Sequence, residues 1–420
     1  MKKEQFSSIR FNPRKSTLAI ILLDLLVQFL LIGNHLDNSV ISPYAPTAVD
    51  AADYVTRAQI WETEGFATAF GDAYRMPGYP LLIMIMHFVV PSAPYLGVRL
   101  LQMLGLALSA ALIKVLLERV TSTWIAIFGG VLFTVLPIWH FVPVLLAESL
   151  TSTLVVILIF ILSSVSKVGI NRNQLVVISL LIAGATYLKP NNLLLLIPVI
   201  TFMIFTLKRY LVRSISAIIL AVVFLLLPWV LFTSSAQPGF LGLTTNSGIN
   251  SYIGTGMVLS YDEGVLAKSA VRWKVDPRNN PEDTLGSTTG LSPAQQNSIL
   301  VKKSIQIWKK RPFNEIGFGL DKTLIAFGIK SNSLFDHIFG LFSFLSVLAG
   351  IILLKVKEFR AWGSVILVTA SLLALQAAIF QADRRFVVPV LFPFSVVCLG
   401  LTLSIFSSRI TKWRRIRNSS

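Results

Sequence analysis

The chain has 420 residues, of which 54% are hydrophobic and only 14% are charged, and its mean hydropathy is +0.72. A soluble domain of this size does not carry so much apolar surface, so the composition excludes a soluble globular protein and indicates an integral membrane protein. The formal net charge of +17 then indicates cytoplasmic loops facing anionic lipid rather than a nucleic-acid partner. The single cysteine, Cys398, excludes an intramolecular disulfide and a Cys/His zinc site.

Eleven apolar runs follow a basic N-terminal stretch at 1–15. They lie at 16–33, 77–90, 95–117, 121–139, 148–165, 174–188, 191–207, 212–232, 334–354, 361–380 and 386–408. Most approach the ~20 residues that a helix needs to cross a bilayer. No small-residue cleavage site follows the first run, which is predicted to be a retained signal anchor. The second run has about ten residues after Pro80 and is predicted to be interfacial or re-entrant. Ten spans remain.

With ten spans, the connecting segments divide into a basic set and a mixed set. The basic set includes both termini, and its acids are Glu4, Glu118 and Glu358. The positive-inside rule therefore predicts that both termini are cytoplasmic. The predicted organisation is a basic N-terminus at 1–15, a transmembrane core at 16–232 with an outer loop at 34–94, a second outer loop at 233–333, transmembrane helices at 334–408 and a basic tail at 409–420.

The second outer loop contains two predicted helices. Ser292 followed by Pro293 is a helix-start signal, so a helix is expected at 292–310. Residues 313–328 (FNEIGFGLDKTLIAFG) look amphipathic and are expected to lie on the membrane surface. The predicted fold is therefore an all-α membrane bundle with interfacial helices on its outer face.

Several charges do not fit the positive-inside pattern, and all lie at the outer membrane boundary. Lys189 ends a span in ATYLKPNN, Arg384 and Arg385 lie in the short turn QADRRFVVPV, Arg75 precedes PGYP, and Glu148 opens a span in LLAESLTS. A lone Lys or Arg at a span end can simply extend to the lipid headgroups. Several such charges on one face instead predict a functional site. Cations at this level can hold a lipid-linked phosphate and stabilise it as a leaving group.

Transfer of a sugar from such a phosphate needs a carboxylate that accepts the acceptor's proton. Asp50, Tyr54 and Ala58 are spaced i, i+4 and i+8 in the first outer loop, on one face of a helix. Asp53 lies on the neighbouring face. Asp72 is three residues before Arg75 and is expected to be its salt-bridge partner.

These motifs together resemble a known family. An outer-loop Asp in D-x-x-x-Y-x-x-x-A is followed by R-x-PGYP, a Glu-Ser span start, a Lys-Pro helix end and a late outer Arg. This order resembles the bacterial GT-C membrane glycosyltransferases related to the dolichyl-phosphate-mannose–protein mannosyltransferases and to the lipid A aminoarabinose transferase. The resemblance extends from about residue 16 to 408, although the C-terminal soluble domain of the larger relatives does not match any segment.

The resemblance implies roles for individual residues. Asp50 matches the catalytic base, and Asp53 is a second candidate. The substrate-binding positions implied by the resemblance and by the spacing are Tyr54, Arg75, Tyr79, Glu148, Lys189, Arg384 and Arg385. Lys189 is assigned to the lipid phosphate, and GINSYIGTG at 248–256 is similar to a Gly-Asn stretch of the family. Relatives differ over a divalent metal, and no cofactor is otherwise expected.

The expected function is inverting transfer of a sugar from a polyprenyl-phosphate donor to a lipid, glycan or protein acceptor. The reaction is expected at the outer face of a bacterial cytoplasmic membrane. Two alternatives remain open from the sequence. One is a lipid or polysaccharide transporter, which predicts ionisable residues throughout the bilayer depth. Asp24 is the only ionisable residue clearly deep within a predicted span, which counts against this alternative. The other is an O-antigen ligase or polymerase that uses a pyrophosphate-linked donor.

Overall fold

The computed structural model describes residues 15–40, 49–165, 169–207, 210–262, 290–329, 334–380 and 384–419. These stretches contain sixteen α-helices and no strand, which confirms the all-α prediction. The helices are α1 Lys15–Ile32, α2 Val49–Glu64, α3 Phe66–Phe70, α4 Gly78–Val89, α5 Pro94–Glu118, α6 Thr123–Val135, α7 Glu148–Leu162, α8 Arg172–Leu188, α9 Leu196–Thr206, α10 Leu211–Ala236, α11 Ser247–Asp262, α12 Pro293–Lys310, α13 Pro312–Ala326, α14 Leu334–Leu354, α15 Arg360–Ile379 and α16 Val388–Ser419. The basic stretch predicted at 1–15 lies, except for Lys15, outside the described residues.

Six of the described helices are long and apolar enough to cross a membrane. They are Lys15–His35, Pro94–Glu118, Leu211–Ala236, His337–Leu354, Arg360–Ile379 and Val388–Ser408. The other four predicted spans correspond to the shorter helices α6 to α9, which have 13, 15, 17 and 11 residues. The run 121–139 is interrupted by Pro137, and Pro190 separates the runs 174–188 and 191–207. Leu136 and Lys189 are extended because a following Pro disfavours helical backbone. Ten runs thus form six helices of spanning length and four shorter ones.

The centre of the bundle is formed by α5 and α16. The spanning part of α16 is 78% buried and α5 is 61% buried, whereas α10 is only 22% buried. Helix α5 packs against α1, α6 and α7, and α16 packs against α7 and α14. Large apolar side chains such as Leu220 and Phe224 on α10 are exposed, as expected for a helix that faces lipid.

The two long segments that the sequence predicts to face outward, called here the outer segments, form helices α2 to α4 and α11 to α13. Helix α12 begins as predicted: the Ser292 hydroxyl accepts the backbone N–H of Gln295, whose side chain accepts the N–H of Ser292. Helix α13 exposes Phe313 and Leu320 and buries the charged residues Glu315 and Lys322 completely. This arrangement is the reverse of a soluble surface helix and agrees with a helix lying against lipid.

The PGYP turn starts helix α4 against the end of α8. A Cβ atom on Gly78 would lie 2.6 Å from the backbone oxygen of Tyr187, so only glycine permits this approach. Helix α4 has 12 residues and is about 18 Å long, too short to cross the bilayer core. The contact between Gly78 and Tyr187 therefore brings the chain just after Arg75 close to the chain just before Lys189.

Candidate active site

A cavity of about 830 Å³, called here the charged cavity, lies where the outer segments meet the bundle. Its polar wall is formed by the acidic, basic and tyrosine side chains Asp50, Tyr54, Tyr74, Arg75, Lys189 and Arg385. Apolar side chains from the segment between α8 and α9, the start of α9 and the segment after α10 also line the cavity: Leu193, Leu194, Leu196, Ile197, Phe240, Leu241 and Leu243. The cavity therefore combines a charged end with an apolar wall.

Asp50 lies in the first turn of α2, where a carboxylate suits the helix dipole. The guanidinium of Arg385 donates a hydrogen bond to its Oδ2 at 2.7 Å, and Arg75 donates to its Oδ1. Burial acts to raise the pKa of Asp50, but Arg75, Arg385 and Lys189 together outweigh it and hold the pKa well below its ordinary value. Asp50 is thus a carboxylate with a cation on each oxygen.

Asp53 and Asp72 form a second layer of ion pairs behind Asp50. Arg75 Nε donates to Asp53 at 2.6 Å, and Arg57 Nε donates to its other oxygen at 3.1 Å. Arg57 binds both oxygens of Asp72, at 2.9 and 2.7 Å. The predicted Asp72–Arg75 salt bridge is wrong, because the chain turns sharply at Ala73, whose φ is +52°. That turn leaves the Asp72 carboxylate facing α2.

Lys189 faces Glu148 at the boundary between the cavity and the bundle. Its ammonium donates to Glu148 Oε1 at 2.5 Å and lies 4.7 Å from the centre of the Phe386 ring. Glu148 is completely buried. Its Oε2 has no hydrogen-bond partner among the described residues. Glu148 was expected to line the site, but it lies behind Lys189, outside the set of residues that line the charged cavity.

Two tyrosines hold the guanidinium of Arg75, which lies 5.4 Å from the ring of Tyr54 and 5.0 Å from that of Tyr74. Tyr54 lines the cavity, and burial raises the pKa of its hydroxyl. Tyr79 was expected at the level of the sugar phosphate, but it does not line the cavity. Its hydroxyl donates to Gln102 at 2.9 Å inside the bundle, because α4 starts at Gly78 and turns this side chain inward.

The sequence analysis did not identify Tyr74 or the asparagine side chains that line the charged cavity. Asn246, Asn250 and Asn297 all line the charged cavity. The Asn297 side chain accepts the N–H of Gly248 at 2.6 Å, which joins α12 to the GINSYIGTG stretch. The GINSYIGTG stretch, noted for its similarity to the family, is the sequence signal that could have indicated these asparagines. The side chain of Arg384, the other predicted late cation, lies outside the described residues.

The described residues contain no group of three His, Cys, Asp or Glu side chains that could hold a metal ion. The two carboxylates nearest the cavity, Asp50 and Asp53, are instead bound by guanidinium groups. Within the described part of the chain, the acidic side chains do not fit a divalent metal site, and the chemistry proposed below uses only side chains of the chain itself.

No protein-family model matches the chain, and no curated protein matches it. Solved structures do. The apo form of the Archaeoglobus fulgidus oligosaccharyltransferase matches 96% of this chain and 52% of its own length, with a TM-score of 0.55 and 12% identity. The Archaeoglobus fulgidus oligosaccharyltransferase AglB in complex with an inhibitory peptide and a dolichol-phosphate matches 98% and 52%, with a TM-score of 0.53 and 12% identity. ArnT from Cupriavidus metallidurans in the apo state matches 92% of this chain and 77% of its own length, with a TM-score of 0.37 and 12% identity.

The chain spans about half the length of the oligosaccharyltransferase chains that it matches. At this identity the likeness shows the fold, which is that of the GT-C membrane glycosyltransferases. The fold predicted from the D-x-x-x-Y and PGYP motifs is therefore confirmed, for a multi-pass chain with six helices of spanning length.

Proposed function

We propose that this protein is a membrane glycosyltransferase that moves a sugar from a polyprenyl-phosphate donor to an acceptor hydroxyl. The observation that carries the proposal is the charged cavity, in which Arg75, Lys189 and Arg385 surround Asp50 beside an apolar wall. A ligand that satisfies both parts needs an anionic head and a hydrocarbon tail. The archaeal oligosaccharyltransferase of the same fold was solved with a dolichol-phosphate, a molecule of this kind.

Donor binding would use the charged end for the phosphate and the apolar wall for the first isoprene units. Arg385 and Lys189 both line the cavity and present N–H donors that suit phosphate oxygens. The leucines at 193 and 194 follow Lys189 by one helical turn, so a tail that leaves the phosphate meets them directly. Burial of each methylene group there contributes about 0.8 kcal/mol.

The same cations link donor binding to the basicity of Asp50. Arg75 and Arg385 neutralise the Asp50 carboxylate, which makes it a poor proton acceptor. A phosphate that draws Arg385 and Lys189 away would remove part of that stabilisation, and the pKa of Asp50 would rise towards its ordinary value. The donor would therefore activate the base at the moment it binds.

In the proposed reaction the acceptor oxygen attacks the anomeric carbon from the side opposite the phosphate, which inverts the configuration. The bond from the anomeric carbon to the phosphate oxygen breaks, and its electron pair leaves with the polyprenyl phosphate. The hydroxyl proton passes to Asp50. The developing negative charge on the phosphate would be stabilised by Lys189 and Arg385.

We further propose that the charged cavity faces the outer side of a bacterial cytoplasmic membrane, with both termini in the cytoplasm. Helices α2 to α4 and α11 to α13 belong to the two long segments that the charge distribution predicts to be outside. The basic residues of the other connecting segments would face the anionic lipids of the cytoplasmic leaflet.

The test is transfer of labelled sugar from synthetic polyprenyl-phosphate sugars in proteoliposomes containing the full chain. The proposal predicts a labelled product and the release of polyprenyl phosphate in equal amounts. Movement of the donor between leaflets without release of polyprenyl phosphate would favour a transporter instead. Turnover with pyrophosphate-linked donors alone would favour a ligase or polymerase.

A further inference from the structure

A second cavity of about 690 Å³, called here the apolar groove, lies on the other side of the PGYP turn. It is formed mainly by α4, α7, α8 and α10, with single residues of α2, α3 and α5, and includes Leu81, Ile85, Gly184, Trp229 and Phe232. Leu81 and Ile85 are exposed on the surface of a helix that faces lipid. The groove is therefore open to the hydrocarbon of a membrane.

The lining of the groove is almost entirely apolar and therefore suits a hydrocarbon chain better than a polar ligand. No charged residue of the described ranges lines the groove. Its polar side chains are already bonded within the protein: Thr153 donates to Ser149 at 3.0 Å, Tyr187 to Leu225 at 3.0 Å and Trp229 to Leu243 at 2.7 Å. Only the Trp61 indole has no such bond among those described. A polar ligand would find almost no partner here, and burial of an alkyl chain would be favourable.

The apolar groove and the charged cavity meet at one residue. Leu188 lines both, and the wall of the charged cavity at Tyr74, Arg75 and Met76 continues directly into the wall of the groove at Pro77 and Gly78. A molecule whose chain occupies the groove would bring its polar end to the side of the turn where Asp50 and Arg75 lie.

We propose that the apolar groove binds a hydrocarbon chain of the acceptor, so that the acceptor is a lipid. This inference rests on the proposed function. The charged cavity already has its own apolar wall, next to Lys189, for the tail of the donor. The groove is a separate space for a second chain, and it positions a head-group hydroxyl beside Asp50. The hydroxyl then attacks the anomeric carbon, loses its proton to Asp50 and displaces polyprenyl phosphate.

Gly184 provides a variant that fills the groove without disturbing its walls. It lines the groove, and a Cβ atom at this position would have no heavy atom within 4 Å. Gly184→Leu therefore projects into the groove, and it also replaces glycine in a helix by a better helix former. Gly317→Leu is the matched control, since Gly317 lies in the exposed face of α13 and equally has open space around it.

The experiment uses two photoreactive probes on the purified full chain in detergent micelles: a diazirine-tailed phosphatidylglycerol, whose head carries free hydroxyls, and a diazirine-tailed polyprenyl phosphate. Cross-linked residues are located by mass spectrometry. We expect the phosphatidylglycerol probe to label 78–89 and 211–236, and the polyprenyl phosphate probe to label 190–197. In Gly184→Leu the first labelling should fall about tenfold, because the leucine excludes buried methylene groups, while the second is unchanged. Gly317→Leu should match the wild type.

Three outcomes would overturn the inference. Labelling of the groove by polyprenyl phosphate would assign it to the donor tail. Unchanged phosphatidylglycerol labelling in Gly184→Leu would show that the labelled site is elsewhere. Absence of phosphatidylglycerol labelling, with polyprenyl phosphate still on 190–197, would reject the lipid acceptor and leave the proposed function standing. Failure of polyprenyl phosphate to label either cavity would instead count against the proposed function itself.

Discussion

Arg385 donates a hydrogen bond to Asp50 at 2.7 Å, although 335 residues separate them in the chain. Asp50 comes from the first outer loop, and Arg385 comes from the turn that precedes the last helix, α16. The candidate site is therefore closed only when the last helix is in place. Because α16 is also the most buried of the spanning helices, this cation is positioned by the centre of the bundle rather than by a surface loop.

Arg385→Gln should weaken donor binding. Hydrogen bonds between charged groups contribute about 1.5–3 kcal/mol, so the loss of one phosphate partner should raise the Kd of polyprenyl phosphate at least about tenfold. Equilibrium binding of labelled polyprenyl phosphate to the purified protein measures this. Lys310→Gln removes an exposed cation outside the charged cavity and should leave the Kd unchanged. Equal effects of the two variants would mean that only the overall charge matters.

Arg385→Gln should also shift the acidic limb of the kcat/KM pH profile to higher pH. A carboxylate with a lowered pKa stays ionised until the pH falls through that value, so its ion pairs are complete above about pH 4. Wild-type kcat/KM, which reports on the free enzyme, should therefore show no loss from Asp50 protonation between about pH 5 and pH 8. Without Arg385 the pKa of Asp50 rises, and the loss of activity on acidification begins at higher pH. Superimposable profiles would contradict the assignment of Asp50.

Gly78→Ala should destabilise the protein, because the added Cβ would lie 2.6 Å from the Tyr187 backbone oxygen. Helix α4 would have to move away from α8, at a cost of about 1–3 kcal/mol. Thermal unfolding in detergent measures the change in Tm. Gly317→Ala, where the new Cβ has open space, should be neutral or stabilising by up to about 1 kcal/mol. A similar Tm for both variants would refute the close approach.

Lys322 should make stability depend on alkaline pH. Burial lowers the pKa of this lysine to about 8, partly opposed by Glu315, and its ammonium donates to the backbone oxygens of Gly254 and Phe380. Between about pH 8 and pH 10 the unfolded chain binds the proton more tightly, so stability rises with pH over this range. The Tm of the wild type should therefore increase relative to Lys322→Met as the pH is raised. Parallel Tm curves would show that Lys322 has an ordinary pKa.

Much of the fold followed from local sequence signals. Apolar runs and caps predicted the helices, including α12 with its Ser292 cap, because these signals act within a few residues. The ten predicted spans comprise six helices of spanning length and four shorter apolar helices. The length of an apolar run does not show that helices end before Pro137 and Pro190. The prolines themselves indicate it, because the residue before a proline disfavours helical backbone.

The members of the site were predicted better than their pairing. Charges at the predicted outer boundary identified Arg75, Lys189 and Arg385, and helical spacing with the family resemblance identified Asp50; these four residues line one cavity, whereas Glu148 does not. Spacing alone paired Asp72 with Arg75, whereas the structure pairs it with Arg57. Pairing depends on the direction in which the chain turns at Ala73 and on contacts between distant segments, and neither can be read from residue spacing.

The measurement that tests the central claim most directly is sugar transfer by Asp50→Asn beside Asp53→Asn. Both substitutions are isosteric, and both residues bind Arg75, so they disturb the ion pairs comparably. Asp50→Asn should lower kcat by about 10²–10⁴ and should retain or tighten donor binding, because Arg385 then no longer pairs with a carboxylate at position 50. Asp53→Asn should keep measurable turnover. If Asp50→Asn transferred sugar at the wild-type rate, or if Asp53→Asn alone abolished turnover, Asp50 would not be the base.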